Sequence, residues 1–94
     1  MSTRILTETR QTVRTHDHDR IQHWVENRGG RPAVVESTWD GKRGELRIDF
    51  GESDESLVEI TWVDFFNIFE ERQLDFVYLK NSDSITYQFI AREG

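Results

Sequence analysis

The chain has 94 residues, no cysteine, 35% hydrophobic and 32% charged residues, and a formal net charge of −6. A single domain of that length buries only roughly 60–65% of the surface its unfolded chain exposes, so its core must be aromatic-rich; six Phe, three Trp and two Tyr supply this. Without cysteine there is no disulfide framework, thiol nucleophile or cysteine metal site.

No apolar run approaches the length of a membrane span, and the first residues lack the apolar segment of a secretory signal. A cytoplasmic protein without a membrane partner is expected. Residues 1–35 carry six arginines against four acids, a net of +2, and residues 36–94 carry six cations against fourteen acids, a net of −8. An acidic body disfavours non-specific nucleic-acid binding, although a locally basic arm could still touch it.

Residues 1–15 are rich in Thr and Arg and show neither a helical stripe nor strong turn signals. A flexible N-terminal arm is expected there, with a short strand from Arg4 to Val13 or a transit peptide as alternatives, and residues 16–94 form the domain. Asp17 is placed to cap a helix starting at His18, and Ile21, Trp24, Val25 and Arg28 share one side of it. Gly29 or Gly30 suits the left-handed turn that ends a helix, and Pro32 forbids continuation, so the helix ends at about Arg28.

Strands are expected from Ala33 to Trp39 and from Glu45 to Phe50, joined by the turn Asp40-Gly-Lys-Arg-Gly44. After the acidic loop 51–56, Thr61-Trp-Val-Asp64 reads as a capping box with Asp in place of the usual Glu, and Ile60 as its hydrophobic staple on Phe65. Trp62, Phe65, Phe66 and Phe69 form the stripe of the second helix. Strands follow at Asp75–Lys80 and Ile85–Arg92.

A shift of 44 positions superposes Asp17 on Thr61, Ile21 on Phe65, Val25 on Phe69 and Val35 on Leu79. That coincidence suggests an α-β-β duplication, although two unrelated amphipathic helices followed by strands would align as well. The fold class expected is α+β, a four-stranded antiparallel sheet with two helices on one face.

The only cluster resembling a metal site is His16, His18 and His23. His18 and His23 stand about 140° apart around a helix, which argues against shared coordination. Arg28-Gly-Gly-Arg31 could clamp an anion, but it lies at the wrong end of the helix dipole, and capping already accounts for Arg28 and both glycines. Arg4, Arg10 and Arg14 could contact phosphates, yet no aromatic residues are interleaved with them. Paired carboxylates such as Asp54-Glu55 and Glu70-Glu71 fall on a polar loop or an outward helix face, and no nucleophile motif or phosphate loop occurs. No catalytic residue and no cofactor are expected. The candidate binding residues are Arg28, Arg31, Arg47 and Arg92, with a polar sheet face formed by Arg47, Asp49, Thr86, Gln88 and Arg92.

At Thr15-x-Asp17, Ile21-x-x-Trp24, Arg28-Gly-Gly-Arg-Pro-Ala33, Ile48-Asp-Phe-Gly51 and Ile60-Thr-Trp62-x-x-Phe65-Phe66-x-x-Phe69, the chain resembles a family of small bacterial proteins of unknown function. Members often carry the label 1,4-α-glucan branching enzyme. A branching enzyme is a large barrel with several catalytic carboxylates, which 94 residues cannot hold. The resemblance, spanning about residues 15–92, implies a bacterial cytoplasmic setting and carries over no catalytic residue. The function expected is a non-catalytic protein-interaction or regulatory module, a monomer or weak homodimer whose partner is another protein. Nucleic-acid contact through the basic arm and Arg31 is the runner-up, and a metal site at His16, His18 and His23 is the third reading.

Overall fold

A computed structural model describes residues 12–80 and 84–93. Two helices and six strands follow in the order β1 (Thr12–Thr15), α1 (His18–Asn27), β2 (Arg31–Val35), β3 (Leu46–Asp49), β4 (Leu57–Glu59), α2 (Trp62–Glu71), β5 (Leu74–Leu79) and β6 (Tyr87–Ala91). Among the described residues, no helix is long and apolar enough to cross a membrane.

Local chemistry sets the helix limits. Asp17 Oδ1 accepts from the Arg20 N–H at 3.2 Å, and Thr61 Oγ1 accepts from the Asp64 N–H at 3.0 Å. At the end of α1, Gly29 N–H donates to the Glu26 carbonyl and Gly30 N–H to the Val25 carbonyl, the paired bonds of a Schellman turn, with Gly29 at φ +73°. The expected buried positions Ile21, Trp24 and Val25 of α1, and Phe65, Phe66 and Phe69 of α2, are all in the core. The strand expected from Ala33 to Trp39 instead runs from Arg31 to Val35, because Glu36–Thr38 turns as a 3₁₀ helix. Asp40 then accepts from the Lys42 and Arg43 N–H groups. These two bonds hold its carboxyl below the ordinary carboxylate range.

The class is α+β, but the strands form two three-stranded antiparallel sheets, ordered β1-β5-β6 and β3-β2-β4. This corrects the expected four-stranded sheet, and two features explain the difference. Thr12–Thr15, from the expected arm, pairs with β5, placing Thr12 opposite Leu79 and Thr15 opposite Phe76. Leu57–Glu59, expected only to lead into the second helix, pairs with β2. Each central strand therefore has two partners. Where β3 and β6 approach, the Tyr87 hydroxyl accepts the Ile48 N–H at 3.0 Å, so a side chain makes the link. Residues 1–11 of the arm lie outside the described residues.

The duplication is not confirmed. A strand precedes each helix, so the recurring order is β-α-β-β, and the leading strand of each half joins the other half's sheet. One core spans both sheets. Trp24 packs on Phe76 at 5.5 Å and Tyr78 at 5.1 Å, and Phe65 and Phe69 meet Phe89 at 6.0 and 6.4 Å. Val34, Leu46 and Ile48 complete it from the other sheet.

Candidate functional site

Among the described residues, Asp75 is the one buried charged side chain, at 6% exposure. It lies near the start of β5, the central strand of its sheet. Its direct neighbour across the β5–β6 ladder is Ile90, and β1 runs along its other edge. An ionised carboxylate in that position needs cations or hydrogen-bond donors, and two guanidiniums and an imidazole meet it there. Arg14 Nε donates to Oδ2 at 2.8 Å, while His16 Nδ1 and Arg92 Nε lie 3.1 and 3.3 Å from Oδ1. Burial pushes the Asp75 carboxyl up, but the bonds from Arg14 and His16 outweigh it and hold it below its usual value.

Arg92 extends the network. Its two terminal nitrogens reach Glu70 Oε1 at 3.0 Å and Oε2 at 3.3 Å, a bidentate pair, and the group also donates to the Leu74 carbonyl. His18 Nε2 lies 2.7 Å from Glu70 Oε2, its ring stacked on Phe66 at 4.0 Å. Arg92 first and His18 second hold the Glu70 carboxyl down at about 2. The same pairing raises the Arg92 guanidinium, with Glu70 the main cause. Arg14, His16, His18, Glu70, Asp75 and Arg92 thus fasten β1, both helices, β5 and the end of β6 to one another.

The expected binding residues do not converge. Arg28 lies 4.5 Å above the Trp24 ring and donates to the Ser84 carbonyl at 2.7 Å, closing α1 onto the segment entering β6. Arg31 is exposed and meets Glu59 at 3.3 Å. Arg47 is held between Glu45 at 3.0 Å and Glu55 at 2.8 Å, and Glu55 chiefly raises its pKa. Arg92 belongs to the Glu70–Asp75 network. The expected polar face is divided, because Arg47 and Asp49 lie on β3 whereas Gln88 lies on β6 of the other sheet.

His16 turns to Asp75, His18 to Glu70, and His23 is exposed on α1. Among the described residues, no three His, Cys, Asp or Glu side chains are grouped so as to hold a metal ion. Of the arm's arginines, Arg14 is committed to Asp75, and Arg4 and Arg10 lie outside the described residues. Sequence reasoning missed Asp75 as a site residue. The signal was a single acid inside the otherwise apolar run Leu74–Leu79, but its partner Arg14 stands 61 residues away.

A second feature is a groove of about 560 Å³ whose walls include Pro32, Trp39, Glu59, Trp62 and Asp64. Trp39 and Trp62 are both half-buried. The Trp62 ring is fixed from behind, stacked on Phe66 at 5.4 Å and edge-on to Phe65 at 5.1 Å, and its indole N–H donates to Glu26 at 3.1 Å.

No family model, curated protein or solved structure matches this chain. The resemblance to the small bacterial family rests on the residues quoted for it.

Proposed function

We propose that this chain is a small non-catalytic protein-interaction module, acting in the cytoplasm as a monomer or weak homodimer. The observation that supports this reading is the direction in which its perturbed groups move. Glu70 is held at about 2, Asp40, Glu55 and Asp75 are lowered, and Arg47 and Arg92 are raised. A general acid or base works best with a pKa near the working pH. Every shift here runs away from neutrality, so these groups hold permanent charges that fasten strands and loops.

The test is a tagged pull-down from a bacterial lysate, with and without nuclease, followed by reconstitution of any retained protein with the pure chain. Retention that survives nuclease and is reproduced by two purified proteins is expected. Recovery that collapses with nuclease would move the function to nucleic acid. A turnover that co-purifies with the chain and disappears in Asp75→Asn or His16→Ala would overturn the non-catalytic reading.

A further inference from the structure

We infer that the groove between Trp39 and Trp62 docks an extended, arginine- or lysine-bearing segment of a partner protein. This rests on the interaction reading above and names the chemistry of the partner. The walls combine two indoles with two carboxylates, Glu59 and Asp64. A guanidinium or ammonium over an indole face gains a cation–π attraction, and nearby carboxylates add to it.

The two acids are available for this. Asp64 stands at the third position of α2, where a Glu would reach back to the cap residue. The shorter Asp does not do so, and among the described residues nothing pairs with its carboxylate, only its backbone N–H being bonded to Thr61. Glu59 is 55% exposed and already takes a guanidinium, that of Arg31, at 3.3 Å. Such an exposed pair is weak enough for an incoming cation to displace. The Thr61 cap and the two carboxylates outweigh the partial positive charge at the start of α2.

Charge also selects the partner. The chain carries a net charge of −6, so a basic segment is drawn to the molecule and an acidic one repelled, and Glu59 and Asp64 place two of the acids on the groove itself. An open groove lined by two indoles and two acids suits an extended segment that carries basic side chains.

The experiment titrates the full chain, labelled with ¹⁵N, with a synthetic heptapeptide alternating arginine and valine, and with the same peptide carrying glutamate in place of arginine. The indole N–H signals report directly. Trp24 is the internal control, being buried with its indole N–H on the Leu79 carbonyl at 3.2 Å. The arginine peptide should shift the Trp39 and Trp62 signals and leave Trp24 in place, and the glutamate peptide should shift none. The double variant Glu59→Gln/Asp64→Asn keeps the Thr61 cap, and should bind the arginine peptide roughly fivefold more weakly, the loss of two exposed ion pairs. Unmoved Trp39 and Trp62 signals, or equal affinity in the double variant, would overturn the inference. If either happens while a purified partner still binds the chain, the groove assignment falls and the interaction reading stands. If no partner survives nuclease and reconstitution, the interaction reading itself falls.

Discussion

Positions 31 and 75 occupy the same place in the two helix–strand units, three residues beyond the helix cap residues Arg28 and Arg72, yet they carry opposite electrostatic weights. Arg31 is exposed and touches one acid at 3.3 Å. Asp75 is buried and faces Arg14, His16 and Arg92. The difference comes from the strand that each half receives from the other. β1 brings Arg14 and His16 to the edge of β5, whereas β4 brings Glu59 only to the rim of β2. One local pattern thus ends in an exposed, screened ion pair on one side and a buried charge network on the other.

The sharpest way to break this comparison is to neutralise both positions. Asp75→Asn should destabilise the fold by about 2–3 kcal/mol, below the usual cost of breaking a fully buried pair because Arg14 can still turn to water. Arg31→Gln should stay within about 0.5 kcal/mol of the parent. Urea midpoints read both. Equal midpoints for the two variants would mean that the Asp75 network contributes no more than a surface pair.

The residues just after the helices differ in space as well as charge. A methyl group at Gly30 would come within 2.6 Å of Phe50 Cε1 and 2.9 Å of Ile48 Cγ2 and Val25 Cγ1, all packed side chains. Its counterpart 44 positions on is Leu74, whose side chain packs against the core. Gly30→Ala should therefore cost about 1–3 kcal/mol through overpacking. Thermal melts of this variant should show the loss, and a parent-like melting temperature would mean the contact relaxes freely.

Acid should act on one side of the comparison. The Glu70 carboxyl is held at about 2, below its ordinary 4.5, and Asp75 is also lowered. A depressed carboxylate contributes stability that is fully present above its unfolded pKa and is lost as pH falls through the folded one. The network should weaken between about pH 4.5 and pH 2. With the Glu70 side chain 40% exposed, water screens the pairing, and its share should be no more than about 1 kcal/mol. Glu70→Gln should flatten that part of the stability-against-pH curve, and an unchanged slope would remove Glu70 from the linkage.

What was legible in the sequence follows the range of the interactions. The caps at Asp17 and Thr61, most of both helix stripes and the turn at Gly29–Gly30 depend on residues within about five positions of one another and appear as read, whereas Trp62 is only half-buried and Asp64 does not complete the capping box. β1 was expected mainly as arm, with a strand from Arg4 to Val13 only as an alternative, and β4 was missed; they are four and three residues long and pair with β5 and β2. No local pattern marks such strands, since the pairing lies far along the chain. Where β3 and β6 of the two sheets approach, the Tyr87 hydroxyl takes the Ile48 N–H, a contact across 39 residues that no local pattern marks. The charge network was illegible for the same reason, although Asp75 was visible as an acid in an apolar run. The candidate groove joins Trp39 and Trp62 from separate elements, and no spacing rule links them.

The smallest test concerns the residue that follows each helix cap. Gly29 sits at φ +73° with open space around it, and Gln73 holds the same left-handed turn at φ +55°. A side chain in that region costs roughly 1–2 kcal/mol, while glycine loses about 0.5–1 kcal/mol more entropy on folding than other residues. Gln73 recovers part of its cost by donating from Nε2 to the Glu70 carbonyl at 3.0 Å, an exposed bond. Gln73→Gly should therefore stabilise the protein by only about 0.5 kcal/mol, whereas Gly29→Ala should destabilise it by about 1 kcal/mol. Because Gln73 O also accepts the Arg92 N–H at 2.7 Å, the two outcomes separate the causes. A gain in Gln73→Gly locates the cost in backbone strain. A loss would mean that the glutamine side chain holds the turn in the geometry that positions Arg92 over Glu70 and Asp75.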